Sequence, residues 1–282
     1  MDKVLVYGAG TMGVGIAQVC AAAGKTVFLV GGLERAEEGK EKVASELNRA
    51  VQKGKLTAER ADRVLEKIIP ITDISEILSE VDLIIEVIIE DMAIKKEVFR
   101  KIEELKPKPE TIFATNTSAL SITELAKVTS FPERFLGIHF FNPAPVMKLV
   151  EIVKGLFTSD KTVIKAQAFV ESLEKTPIVV KESPGFVVNR ILVPMINEAA
   201  YALMEGVASA EDIDKGMTLG ANHPIGPLAL ADLIGIDVCL AVMETLYREF
   251  GDSKYRPCPL LRKNVRAGFL GRKTKRGFFI YE

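Results

Sequence analysis

The sequence predicts an α/β fold: a parallel sheet with crossover helices and an inserted helical hairpin, followed by an all-α second domain. Two observations predict it. Short apolar runs alternate with helical patterns from residue 3 to residue 181, and the alternation then stops. The first run, Lys3–Tyr7 (KVLVY), leads straight into Gly8-Ala9-Gly10-Thr11-Met12-Gly13, a GxGxxG between a strand and a helix.

Residues 11–23 read as a helix rich in small side chains, and 25–30 (KTVFLV) as a second strand. A strand–turn–helix–strand opening predicts parallel neighbours joined by a right-handed crossover. Residues 34–53 and 57–67 are charged and helical, a hairpin after the second strand. Residues 82–89 (DLIIEVII) are almost wholly apolar, as a strand covered on both faces should be. A helix over 92–105, strands at 111–114, 134–140 and 148–153, a helix over 161–173 and a strand at 178–181 complete the alternation. From 185 to 250 the pattern is helical throughout. Ser183-Pro184-Gly185 is the turn signal at the change. The chain therefore divides into a sheet domain, 1–183, which carries the glycine motif, and a helical domain, 184–282.

Bulk properties narrow the class. The chain has 282 residues, 48% of them hydrophobic, which suits one large domain and a smaller one. Charged residues make up 27%, with both signs interspersed and a net charge of -1, so neither nucleic acid nor a membrane surface is the expected partner. The basic segment 262–276 lacks the interleaved aromatics of a base-stacking surface. No stretch approaches the ~20 apolar residues of a membrane span, and no basic leader precedes the first strand, so no signal peptide is expected. Cys20, Cys239 and Cys258 form no CxxC pair and suit a reducing compartment, the cytoplasm, with a mature mitochondrial form the alternative. With only His139 and His223 and no cysteine cluster, no metal site is expected. His223, before Pro224 in a glycine-proline loop, reads as structural.

In the glycine motif each position has a physical task. Gly8 permits the tight turn, Gly10 lets backbone approach a pyrophosphate, and Gly13 lets the helix pack on the strand. The helix N-terminus, at Thr11 and Met12, offers free N–H groups and a positive dipole end to phosphate. A Rossmann-type dinucleotide site follows. The acid that normally ends the second strand of such a site, and that bonds the adenosine ribose, is missing, and Gly31-Gly32 stands in its place. Glu34 is the nearest acid, and Arg35 follows it.

His139-Phe140-Phe141-Asn142-Pro143 is expected in the loop at the carboxyl end of an apolar strand, where open α/β sheets bind ligands. Twelve residues on lies Glu151, in MKLVEIV, and a turn through Pro143 and Pro145 can fold it back against His139. A carboxylate behind an imidazole fixes its tautomer and stabilises the imidazolium that forms when it takes a proton. Spacing alone leaves a hydrogen-bonded strand-end histidine equally open.

The segments GAGTMGVGIAQ, TNTSALSIT, HFFNPAPVMKLVE, SPGFVVNRILVPMINEA, DIDKGMTLGANHPIGPLALADLIGID and GRKTKRGF resemble, in order and spacing across the whole chain, the 3-hydroxyacyl-CoA dehydrogenase family, in particular its short-chain 3-hydroxybutyryl-CoA members. The resemblance implies an NAD-dependent oxidoreductase acting on an acyl-CoA, and a homodimer through the helical domain. It makes His139 the general base and Glu151 its partner. Ser118 bonds the reacting oxygen near the nicotinamide, and Asn189 polarises the thioester or 3-oxo group. Glu90, Lys95, Asn142 and Lys273 line the NAD site, and Lys53 meets the CoA moiety. Read without the resemblance, Ser118 is a helix cap, Glu90 and Lys95 a surface pair, Asn189 a solvated helix position and Lys53 a solvated helix end. The chain departs from the family at Gly31, where Asp is usual, at Ala119, where a second serine is common, and at Phe279, where Tyr is common. Gly31 points to tolerance of NADP, and an Asp restored there is expected to tighten NADH binding. A hydroxy-acid or sugar-acid dehydrogenase and a non-enzymatic dinucleotide-binding protein are the alternative readings.

Overall fold

The computed structural model describes residues 1–282, all but the side chain of Leu33. The chain forms two compact units, Met1–Glu182 and Ser183–Glu282.

The first unit is built on eight strands, β1 (Lys3–Tyr7), β2 (Thr26–Val30), β3 (Ile68–Ile71), β4 (Leu83–Glu86), β5 (Ile112–Thr115), β6 (Phe135–Phe140), β7 (Leu149–Lys154) and β8 (Thr176–Lys181). Their order across the sheet is β3-β2-β1-β4-β5-β6-β7-β8. The first six give the doubly wound order, with β1 and β4 at the switch point where ligands bind. Every neighbouring pair is parallel except β6 and β7, which run antiparallel. The expectation of a parallel sheet therefore meets one exception.

Six helices cover the sheet: α1 (Thr11–Ala22), α2 (Leu33–Gln52), α3 (Ala58–Glu66), α4 (Met92–Glu104), α5 (Ile122–Ala126) and α6 (Asp160–Ser172). Helices α2 and α3 are the expected hairpin, and the chain passes from it into β3. Side-chain caps start the later helices: Thr57 for α3, Asp91 for α4, Ser121 for α5 and Ser159 for α6. Helices α1 and α2 open instead on Gly10 and Gly32, with no side-chain cap.

Alternation along the central strands fills both faces. Val4, Val6, Ile85, Ile138 and Ile152 pack with Ile16 and Val170 in one cluster. On the other face Phe99 of α4 lies edge-on to Phe135, with ring centroids 4.8 Å apart. Burying each such side chain contributes about 1.5–3 kcal/mol.

The second unit is helical: α7 (Val188–Met204), α8 (Ala210–Lys215), α9 (Pro227–Ile234), α10 (Ile236–Phe250) and α11 (Pro259–Arg266). Val193 and Ile196 of α7 pack with Cys239, Met243 and Leu246 of α10. Two buried polar residues tie its loops. Asn197 accepts from the Cys258 amide at 2.7 Å and donates to the Arg256 carbonyl at 3.1 Å. Asp232 accepts from the amides of Phe278 and Phe279, each at 2.9 Å, and from the Tyr281 hydroxyl, holding the chain's last residues. Among the described residues no helix is long and apolar enough to cross a membrane.

Candidate functional site

The glycine turn between β1 and α1 is shaped by close approach. Gly8 has φ +131°, and a Cβ there would stand 2.7 Å from the Val87 carbonyl carbon. A Cβ on Gly13 would overlap the carbonyl of Gly8, so only glycine lets the helix return this close to the strand. Gly10 faces open space. With no side-chain cap and no acid in the first turn of α1, the amides at Thr11 and Met12 are left for an anion. This geometry fits the pyrophosphate of a dinucleotide. A cavity of about 550 Å³ adjoins it, lined by Gly10, Thr11, Arg35, Lys42, Asn142 and Pro145 among others. Gly31 follows β2 and presses against Ala9.

His139 is the fifth residue of β6, not part of the loop after it. This corrects the loop placement and agrees with the strand read over 134–140: Phe140 is itself buried and strand-paired, so the strand runs one residue past the histidine. The antiparallel register places His139 directly opposite Glu151. Imidazole Nδ1 lies 2.7 Å from Glu151 Oε2, with Glu151 fully buried and His139 5% exposed. The two strands set this contact, whereas the turn through Pro143 and Pro145 only joins them. The Phe141 ring tilts against the imidazole with centroids 4.6 Å apart.

The ends of β4 and β5 carry a second polar cluster. Glu86, fully buried, accepts from Lys95 Nζ at 2.6 Å, the Ile88 amide at 2.7 Å and the Thr115 hydroxyl at 2.6 Å. Lys95 Nζ lies 3.5 Å from Glu90 Oε2. The other Glu90 oxygen accepts from the Thr117 hydroxyl at 2.5 Å, the Ser118 amide at 2.9 Å and the Ser118 hydroxyl at 3.2 Å. Lys95 is 1% exposed, so it is no surface pair. Ser118 is no helix cap either, because Ser121 caps α5.

The remaining candidates belong to other elements. Lys53 is the exposed C-cap of α2 and does not line the cavity, whereas Lys42 on the same helix does. Asn189 is half-buried in the first turn of α7, in the second unit. Lys273, also in that unit, is exposed and pairs with both carboxylate oxygens of Asp237 at 2.5 and 2.7 Å.

Sequence reasoning missed Asn116 and Glu86. Asn116 Oδ1 accepts from the Phe140 amide at 2.8 Å and so ties the turn after β5 to the strand that holds His139. Its place in TNTS was the available signal. Glu86 shows in sequence only as an acid inside an apolar strand, next to which a buried cation has to be sought.

Comparison with known proteins gives a consistent result. The family described as "3-hydroxyacyl-CoA dehydrogenase, NAD binding domain" matches residues 3–183, and that described as "3-hydroxyacyl-CoA dehydrogenase, C-terminal domain" matches 185–281. The chain is 51% identical to a 3-hydroxybutyryl-CoA dehydrogenase of Clostridioides difficile over 280 residues, 99% of each chain. It is 48% identical to one of Bradyrhizobium diazoefficiens over 282 residues, 100% of this chain and 96% of the other. The crystal structure of an (S)-3-hydroxybutyryl-CoA dehydrogenase from Ralstonia eutropha superposes with a TM-score of 0.96 at 51% identity, covering 100% of this chain and 99% of the other.

Proposed function

The chain belongs to the 3-hydroxyacyl-CoA dehydrogenase family, and from that premise we propose that it interconverts (S)-3-hydroxybutyryl-CoA and acetoacetyl-CoA with NAD. The observation that carries the reading is the buried His139–Glu151 contact on the same sheet as a glycine turn suited to a dinucleotide. The relatives' names favour it over a sugar-acid dehydrogenase or a non-enzymatic binder.

With Nδ1–H donated to Glu151, Nε2 is the nitrogen of His139 that accepts the 3-hydroxyl proton during oxidation. The Glu151 carboxylate stabilises the imidazolium so formed. In the reverse direction the imidazolium returns that proton to the 3-oxo oxygen. Ser118, oriented by Glu90, bonds the same oxygen, and Asn189 polarises the thioester or 3-oxo group. NAD, when bound, supplies the hydride acceptor, and NADH the donor. Gly8, Gly10, Thr11, Met12 and Gly13 hold its pyrophosphate, and Glu90, Asn142 and Lys273 complete its site. Lys95 acts from beneath, on Glu90. Lys53 meets the CoA moiety.

Gly31 leaves the ribose without its usual carboxylate, and the exposed Arg35 offers a donor to a 2′-phosphate, so discrimination against NADP is weak. The first domain, 1–183, binds the dinucleotide, and the second, 184–282, contributes substrate contacts and a homodimer face. Ile191 on α7, 69% exposed, and Leu233 on α9, 53% exposed, support that face. Three buried free thiols suit the cytoplasm.

The test follows NADH absorbance with acetoacetyl-CoA, with a sugar acid, and with NADPH in place of NADH. Turnover of acetoacetyl-CoA and not of the sugar acid is expected. No turnover of any 3-oxoacyl-CoA by folded, cofactor-binding protein sinks the reading.

A further inference from the structure

The turn that joins β6 to β7 has a cation at its heart. Its one internal acceptor is the Pro143 carbonyl, which receives the amides of both Val146 and Met147 at 3.0 Å. The carbonyls of Ala144, Pro145 and Met147 are gathered by a single side chain from outside the turn. Lys175 Nζ donates to Ala144 O at 2.7 Å, to Pro145 O at 3.2 Å and to Met147 O at 2.7 Å. An ammonium has three protons, and these three carbonyls take them all. Among the described residues Lys175 makes no ion pair, and it is half-buried, so carbonyl dipoles and solvent together meet its charge.

The placement of Lys175 is well determined. It lies between α6 and β8, and the Thr176 amide next to it donates to the Lys148 carbonyl at 2.8 Å. The other side of the turn rests on α1, where a Cβ on Gly15 would stand 3.3 Å from both the Ala144 Cβ and the Pro145 Cδ. The turn is thus clamped between a helix face and an ammonium. Residues 142–146 of the same turn form one wall of the cavity beside the glycine motif.

We infer that Lys175 is a positioning residue, whose ammonium takes the place of a bound cation, gathers the Ala144, Pro145 and Met147 carbonyls and fixes that wall of the cavity. This rests on the reading of the cavity as the cofactor and acyl-CoA site. Lys175 touches no reacting atom. Its effect reaches the site through Asn142 and the backbone that follows it.

Two measurements test it on the full-length protein. In Lys175→Met, KM for acetoacetyl-CoA rises about tenfold while kcat stays within about twofold, the pattern of lost ground-state and transition-state binding together. Lys175→Gln, which keeps two N–H donors, falls between the wild type and Lys175→Met. A purely structural lysine would lower the melting temperature and the folded fraction with KM unchanged. The second measurement does not need activity. The chain contains no tryptophan, so Val146→Trp places a single reporter on the turn. Its fluorescence anisotropy is expected to drop when Lys175→Met is added, in protein whose far-ultraviolet circular dichroism is unchanged. Equal anisotropy with and without Lys175, or an unchanged KM, overturns the inference. Absence of turnover in the wild type would instead remove the functional reading, and the anisotropy would still decide whether Lys175 holds the turn.

Discussion

Gly31 lies so close to Ala9 that a Cβ built on residue 31 overlaps the Ala9 Cβ and stands 2.8 Å from the Ala9 nitrogen. The end of β2 and the glycine turn have closed on each other. From sequence, position 31 reads as the vacant seat of a carboxylate, where Gly31→Asp tightens NADH binding. The structure gives that side chain no room. Gly31→Asp has to push the pyrophosphate turn, an overpacking cost of about 1–3 kcal/mol that offsets much or all of the about 1.5–3 kcal/mol of a charged hydrogen bond to ribose. The single variant is therefore expected to bind NADH no more tightly than the wild type, and NADPH more weakly. Adding Ala9→Gly should recover NADH binding and leave NADPH binding weak. Dissociation constants for both cofactors on all three proteins check this, and tighter NADH binding by Gly31→Asp alone counts against it.

His139→Gln is expected to lower kcat by about 10²–10⁴-fold, the usual contribution of a positioned proton acceptor. Glu151→Gln removes the carboxylate 2.7 Å from Nδ1 and should also lower kcat. The double variant should lose little more than His139→Gln, because the two residues act as one unit. Multiplicative losses in steady-state kinetics would show that they act separately.

The Glu86–Lys95 pair is buried at both ends. Removing one partner leaves an uncompensated buried charge at a cost of about 3–5 kcal/mol, whereas replacing both with apolar groups of similar size is far milder. Lys95→Met should accordingly shift the urea midpoint strongly downward, and Glu86→Leu in the same chain should restore much of it. Equal midpoints for the single variant and the wild type would mean that the charge finds another partner.

Alkaline pH probes the hold of Asp232 on the end of the chain. Burial and the hydrogen bond to Asp232 push the Tyr281 hydroxyl up to about 12. Below about pH 10 this tyrosine is neutral whether folded or unfolded, and its contribution to stability is complete. Between about pH 10 and 12 the unfolded chain ionises first, so stability falls as pH rises. Tyr281→Phe should be the less stable protein at about pH 9 and should lose less than the wild type between about pH 9 and 11. Urea midpoints of the two proteins at both pH values decide it.

Local signals were the legible ones. The GxGxxG turn, the charged hairpin and the helical second unit follow from residue type and period within short windows. Strand β3 escaped notice because it has four residues and contains Pro70, which is tolerated there since β3 is an edge strand. For the same reason β8 begins earlier than its apolar run, at Thr176, with Pro177 inside it. The His139–Glu151 pairing was legible as chemistry, but its cause was not, because strand register depends on both strands at once. Lys175 was invisible: its partners lie 28–31 residues away and are backbone atoms, which leave no mark on residue type.

The reversal of β7 against β6 separates two tasks that one segment would otherwise share. In the proposed mechanism proton transfer depends on the pairing of residues 139 and 151, which the ladder enforces from Gly137–Val153 to Phe140–Val150. The eight positions from 141 to 148 lie beyond the ladder. They can lengthen, shorten or change in polarity without carrying imidazole away from carboxylate, provided the two strands stay paired. A chimera that exchanges this tip but retains Asn142 and the carbonyls held by Lys175 keeps the 139–151 pairing and acquires a different cavity wall. Selectivity in this scaffold can thus drift by replacement of the rest of the tip.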